Sequence, residues 1–219
     1  MFDYSEKYIH RVSDFIKKED AEYILSYMES WTKDNEDGQK QIQFLEEISD
    51  EKIRNIIMES EKNTYLEILG NYSRMLGIRI EHLAWMRRLE LVQWNYEEGL
   101  QAHRDGHKHI PDEPELSLST LIYLNDDYGS GEISFPEYNL SIKPKAGELI
   151  IFPSYFLHEV KQIQQISNGR QRCTMPMFYT FEARKFEEYT HFSYLGQIED
   201  YNKGKGEYFS EQTLERDKK

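Results

Sequence analysis

"LSTLIYLNDDYGSGEISFPEYNLSIKPKAGELIIFPSYFLHEV", residues 118–160, carries the densest strand signals in the chain. It holds short runs rich in β-branched and aromatic residues, "LSTLIYL", "GEISFP", "YNLSIKP" and "GELIIFP". Gly, Pro, Asn and Asp divide them, as strand boundaries require. "LELVQWNY" before this block and "CTMPMFYTF" after it read the same way. Short strands at this spacing predict a mainly β chain, a sandwich or jelly roll with helices packed on one side.

Before Gly77 the periodicity is different. Ile24, Leu25, Met28 and Trp31 form a helical stripe in "EDAEYILSYMESW". A second helix in "SDEKIRNIIMESEKNTYLEILGNYSRMLG" has Ser49 or Asp50 as N-cap, Ile53, Ile56 and Ile57 on one face, and Gly70 or Gly77 as its stop. Between them "KDNEDGQKQ" reads as a polar loop. The expected organisation is one domain over 1–219. Residues 1–82 are a helical N-terminal support, 83–185 the β core, and 197–219 a polar, mobile tail in which Tyr208 and Phe209 are the residues able to dock. There is no internal repeat.

Composition narrows the function. Hydrophobic residues at 38% and aromatic residues at 14% exclude a mainly disordered chain. A net charge of −13 argues against duplex nucleic acid as the main partner, because phosphate binding needs clustered Lys and Arg. The single Cys173 cannot form an internal disulfide, which fits a reducing compartment. The start, "MFDYSEKYIHRVSDF", lacks a signal-peptide apolar run, and no segment has membrane-spanning length. The expectation is a soluble intracellular protein of the cytoplasm with no membrane partner.

The chemistry sits in "QAHRDGHKHI", residues 101–110. Side chains at i and i+2 leave the same face of a strand, so His103 and Asp105 can address one ion. Two ligands do not make a site. His158, where an apolar strand breaks at Pro153 and another begins, supplies a third. Two histidines and one carboxylate on one face of an octahedral ion leave open positions, the pattern of non-haem Fe(II) oxygenases.

In order, the chain offers His-x-Asp, a "YLN" strand, a Gly-Glu and Phe-Pro pair, a "Gly-Glu-Leu" strand, a distal His and then a basic residue. This series, from about Leu83 to Glu182, resembles the catalytic core of the prolyl 4-hydroxylase-like Fe(II)/2-oxoglutarate dioxygenases. "RVSDFIKKEDAEYILSYME" resembles the family's entry segment, a short strand followed by a helix. The resemblance implies a double-stranded β-helix, a jelly-roll or cupin-like core, with Fe(II) on His103, Asp105 and His158. Its cosubstrates would be 2-oxoglutarate and O2, with ascorbate as an accessory reductant. It also implies oxidative decarboxylation to succinate and CO2 coupled to hydroxylation of a substrate. A prolyl residue in a peptide or protein is the first choice. Free amino acids or other small molecules are the second, and a non-catalytic jelly-roll binding protein the reading from another class.

A buried dicarboxylate needs a fixed cation, and Arg supplies a bidentate fork. The resemblance offers Arg172 and Arg170, which alternate onto one strand face; alignment on the following apolar strand favours Arg172. Tyr123 of "LIYLN" matches the family tyrosine that bonds the same carboxylate. Tyr96 is placed to line the pocket and Thr174 to add a hydroxyl. His107 and His109 fall outside the His-x-Asp register and read as surface loop, in a segment 106–115 whose composition suits a lid over the substrate entrance. His10, His82 and His191 have no motif around them. Arg87 and Arg88 read as solvated strand-edge charges, Trp85 and Trp94 as core, and Cys173 as packing.

Overall fold

The computed structural model describes residues 6–31, 40–80, 83–85, 89–106 and 116–181. His82, Arg87, Arg88, His107, His109, His191 and the 197–219 tail lie outside these residues, as do most of the lid segment and the side chain of Trp85. Thirteen strands run in chain order: β1 His10–Val12, β2 Lys40–Phe44, β3 Ala84–Trp85, β4 Glu90–Trp94, β5 Leu100–His103, β6 Leu118–Tyr123, β7 Gly129–Ser130, β8 Ile133–Phe135, β9 Leu140–Ile142, β10 Leu149–Pro153, β11 His158–Val160, β12 Ile163–Gln164 and β13 Arg172–Thr180. The helices are α1 Lys18–Met28, α2 Glu51–Glu67 and α3 Ser73–Leu76. No helix among the described residues is long and apolar enough to cross a membrane.

The larger sheet has the order β1-β10-β6-β13-β4-β2, with β3 paired to the far end of β13. The smaller has the order β5-β11-β8-β9, and β12 and β7 form a separate ribbon. The pairings are antiparallel, the arrangement of a jelly roll.

The pleat sorts side chains into two cores. Cys173, Met175, Met177 and Tyr179 of β13 face one way, as do Leu118 and Ile122 of β6 and Leu149 and Ile151 of β10. They pack against Ala21, Ile24, Leu25 and Met28 of α1 and Ile53, Ile56 and Ile57 of α2. Each fully buried Ile or Leu there contributes about 1.5–3 kcal/mol. The alternate residues face between the sheets, where Tyr123, Ile150 and Phe152 meet Ile133, Phe135 and Ile142.

The helical register follows its local signals. Asp50 caps α2 by accepting from the Ile53 amide at 3.0 Å. The helix passes through a π turn at Ile68–Tyr72, which absorbs Gly70, and stops only at Gly77, left-handed at φ 68°.

Three readings are corrected. Besides the expected entry strand β1, the N-terminal third supplies an unexpected strand β2, and the two are the edges of the larger sheet. The predicted polar loop ends early, because Lys40 and Gln41 begin β2. Its "KQIQF" run, with three polar residues in five, does not stand out as a strand until β4 pairs with it residue for residue. Arg170 and Arg172 do not share a strand face, since β13 begins at Arg172 and Arg170 precedes it in the loop. Pro176 sits inside β13 without breaking it. β4 pairs Arg172–Thr174 and β3 pairs Tyr179–Thr180, so no described strand asks Pro176 for a donor on that side.

Candidate active site

β5 and β11 are adjacent, and their register sets His103 directly opposite His158. The ring centroids lie 4.3 Å apart. Asp105, in the turn after β5, completes the set: its Oδ1 is 3.3 Å from His103 Nε2 and its Oδ2 is 3.5 Å from His158 Nε2. One ligand atom from each residue falls within 4.8 Å of the others.

Each ligand is held from behind. Nδ1 of His103 lies 2.8 Å from the Gln101 carbonyl, and Nδ1 of His158 lies 2.9 Å from the Phe156 carbonyl. A carbonyl only accepts, so both Nδ1 atoms carry the proton and both Nε2 lone pairs point at the shared centre. Asp105 Oδ2 accepts from the Ser119 hydroxyl at 2.7 Å, and Ser119 is 2.8 Å from Ser154 Oγ. The Gly106 amide donates to the Ser154 carbonyl at 2.9 Å and closes the turn.

Electrostatics favour metal-binding protonation states. Burial alone would raise the Asp105 carboxyl, but His103, His158 and Ser119 outweigh it and hold the group below its ordinary value. Burial pushes His158 below its ordinary value, toward the neutral form that can ligate.

Along the same inner face of β6, four residues and about 13 Å from Ser119, stands Tyr123. Its cross-strand partner is Thr174, and Arg172 lies two residues before Thr174 on that face of β13. Arg172 is 1% exposed. Its Nη2 donates to the Tyr123 hydroxyl at 3.4 Å, and its guanidinium lies 5.2 Å from the Tyr123 ring centroid and 5.4 Å from that of Trp94. Its Nε and Nη1 are buried with no hydrogen-bond partner. A buried guanidinium with two idle donors is a site built for an anion.

Arg170 is engaged elsewhere. It donates to Asp127 through Nε at 2.8 Å and to Glu22 of α1 through Nη1 at 2.8 Å. Tyr96, part-buried beside Trp94, donates to the Gly169 carbonyl at 2.9 Å. Tyr96 thus ties down the loop before β13. Cys173 faces the helical core as expected, and burial raises its thiol to about 12. His10, which no motif assigns, is 2.6 Å from Glu67 and joins β1 to α2.

The sequence reading missed Ser119 and Tyr128. Ser119 lies in the quoted strand, and its even spacing from Tyr123 was the available signal. Tyr128, 2% exposed, has a buried hydroxyl with no partner, which sequence alone cannot show.

Residues 90–180 match the model of the 2OG-Fe(II) oxygenase superfamily. A comparison with curated proteins found no match. Among solved structures, the chain is similar to the viral collagen prolyl hydroxylase of Paramecium Bursaria Chlorella virus-1 in its 2OG complex. The TM-score is 0.60 and the identity 14%, over 79% of this chain and 95% of that one. It is similar to a Pseudomonas putida prolyl-4-hydroxylase, with a TM-score of 0.56 and 16% identity over 81% and 95% of the two chains. It is also similar to a Trichoplax adhaerens prolyl hydroxylase in complex with a hypoxia inducible factor peptide fragment, with a TM-score of 0.57 and 15% identity over 83% and 87%. Residues 90–180 thus match a 2OG-Fe(II) oxygenase domain, a family whose cofactors are Fe(II), 2-oxoglutarate and O2, and the chain shares the fold of these prolyl hydroxylases.

Proposed function

We propose that this protein, an Fe(II)/2-oxoglutarate-dependent dioxygenase of prolyl hydroxylase-like fold, hydroxylates a prolyl residue in a peptide or protein substrate. The observation that carries the reading is the pairing of the His103–Asp105–His158 cluster with the idle donors of Arg172, joined along the inner face of β6, where Ser119 bonds Asp105 and Tyr123 meets Arg172. The Trichoplax structure, which holds a peptide fragment, supports a peptide or protein substrate.

Fe(II) on the three ligands supplies, with 2-oxoglutarate and O2, the oxidising chemistry that places a hydroxyl on the substrate and releases succinate and CO2. The chain's own residues position and exclude. Gln101 and Phe156 carbonyls fix the two imidazole tautomers, so both Nε2 atoms are ready donors. Ser119 holds the Asp105 carboxylate in one orientation. At the far end, the Arg172 guanidinium, which has donors to spare, would hold the distal carboxylate of 2-oxoglutarate, and Tyr123 and Thr174 would flank it. The surrounding Trp94, Tyr123 and Tyr128 rings keep water from competing for that charge.

The test is a mass-spectrometric screen of proline-containing peptides for the gain of one oxygen, in the presence of Fe(II), 2-oxoglutarate and ascorbate. Succinate formed in step with a hydroxylated prolyl product is the expected result. Succinate formed only with free amino acids or other small molecules would replace the prolyl substrate. No succinate under any condition would return the chain to a binding role.

A further inference from the structure

Beside Arg172 stands one more idle polar atom. Tyr128 is 2% exposed and its hydroxyl, like Arg172 Nε and Nη1, is buried without a partner. The phenol lies close enough to Arg172 for the guanidinium to act on it, but the two do not reach full hydrogen-bond geometry. A ring that served only to fill space would be better as Phe, since an unpaired buried hydroxyl destabilises a fold.

The ring is also held in place by independent features. Lys143 Nζ stands 3.9 Å from the Tyr128 ring centroid, donates to the Tyr128 carbonyl at 2.9 Å and bonds the Ser130 carbonyl. Gly131, at φ 71°, leaves the space the ring needs, because a Cβ there would come within 2.9 Å of Tyr128 Cε2. Val92, Trp94 and Ile163 pack around it. So the hydroxyl is fixed, dry and aimed beside a desolvated cation. Burial raises its pKa above the ordinary tyrosine value, so it remains a donor at any working pH.

We propose that the Tyr128 hydroxyl donates to the distal carboxylate of the 2-oxo acid cosubstrate alongside Arg172. It thereby helps the site select a dicarboxylate over a 2-oxo acid with an apolar end. The inference rests on the proposed binding of 2-oxoglutarate at Arg172. Arg172 and Tyr128 then meet one carboxylate, and orphaned donors on both side chains become satisfied in a single event.

The experiment is anaerobic calorimetric titration of Mn(II)-loaded full-length protein with 2-oxoglutarate and with 2-oxopentanoate, which lacks the distal carboxylate. Tyr128→Phe keeps the ring. It is expected to weaken 2-oxoglutarate binding about tenfold or more, as loss of a hydrogen bond to a charged acceptor does, and to leave 2-oxopentanoate within about twofold. The ligand-free variant is expected to melt at or above the wild-type temperature, because a buried unpaired hydroxyl has been removed. Unchanged 2-oxoglutarate affinity, equal losses for both ligands, or a lowered melting temperature each overturn the role of Tyr128. If wild type binds 2-oxoglutarate and Arg172→Ala does not, while Tyr128→Phe equals wild type, only this inference fails. If wild type shows no binding of 2-oxoglutarate, the proposed function fails with it.

Discussion

The two ends of the inner face are built on opposite rules. At the proposed metal end each candidate ligand is already satisfied: His103 and His158 by carbonyls, Asp105 by Ser119. At the Arg172 end three polar atoms, two of Arg172 and one of Tyr128, are buried without partners. The first end is pre-organised, so an ion meets ligands already in position. The second is left unsatisfied, which costs the ligand-free fold stability that an arriving anion restores. An end that orients needs satisfied neighbours, whereas an end that captures a charged group needs donors held in reserve.

The largest expected effect comes from breaking the satisfied end. Asp105→Ala and His158→Ala are each expected to abolish stoichiometric Fe(II) or Mn(II) binding, measured by metal analysis after dialysis, because two remaining donors do not hold the ion. Retained metal in both variants would remove the cluster from the chemistry.

Breaking the unsatisfied end is expected to separate function from stability. Arg172→Met should retain metal while 2-oxoglutarate binding weakens by roughly 30-fold to several-thousand-fold, the cost of truncating a desolvated charge contact. The ligand-free protein should melt higher than wild type, since a buried guanidinium with idle donors has been replaced by an apolar chain of similar reach. A lower melting temperature would mean that Arg172 stabilises the empty fold.

A carboxyl group away from both ends sharpens the contrast. Glu61 on α2 is 2% exposed with Oε1 unpartnered, and burial raises it from 4.5 to about 8, which the Tyr179 hydroxyl only partly offsets. Below pH 4.5 the group is protonated whether folded or unfolded and has no effect on stability. As pH rises from 4.5 toward 8 the unfolded chain ionises first, so stability is lost across that window and the loss then levels off. Glu61→Gln is expected to flatten this slope and to raise stability at pH 8 by on the order of 3–5 kcal/mol, read by urea unfolding at both ends of the window. Parallel pH profiles for variant and wild type would contradict it. Asp105, part-buried, has its pKa shifted the other way because its partners are in place.

Smaller effects test the supports. Ser119→Ala is expected to weaken metal affinity about 10- to 100-fold without unfolding, as loss of an outer partner does. Arg170→Ala should leave 2-oxoglutarate affinity unchanged and lower stability by less than about 1 kcal/mol, because its bonds to Glu22 and Asp127 are part-exposed. The reverse ranking of Arg170 and Arg172 would reopen the alternative that the sequence left standing.

Much of this was legible before any tertiary information. The ligand types, their order along the chain, the strand-rich core and the helical stripes of α1 and α2 are local properties, carried by side-chain chemistry and by periods of 2 and 3.6 residues. Asp50 and Gly77 marked a helix start and stop that the structure retains. β3 and β12 were not legible because they are two residues long, and β2 and β5 because "KQIQF" and "LQAH" are too polar to stand out as strands without a partner beside them.

By itself the sequence determined which residues were able to do chemistry: two histidines, a carboxylate and two arginines in a recognisable order. Only the tertiary structure decided which of them meet. Register between β5 and β11 set His103 against His158, though the two are far apart in the chain. The start of β13 put Arg172 inside and left Arg170 to bond Glu22 and Asp127. Packing around Gly131 turned Tyr128 from one aromatic among many into a buried, unpaired donor. The physical reason is the same in each case. Residue type and period are set by neighbours in the chain, whereas desolvation and hydrogen-bond satisfaction are set by whichever distant strand arrives.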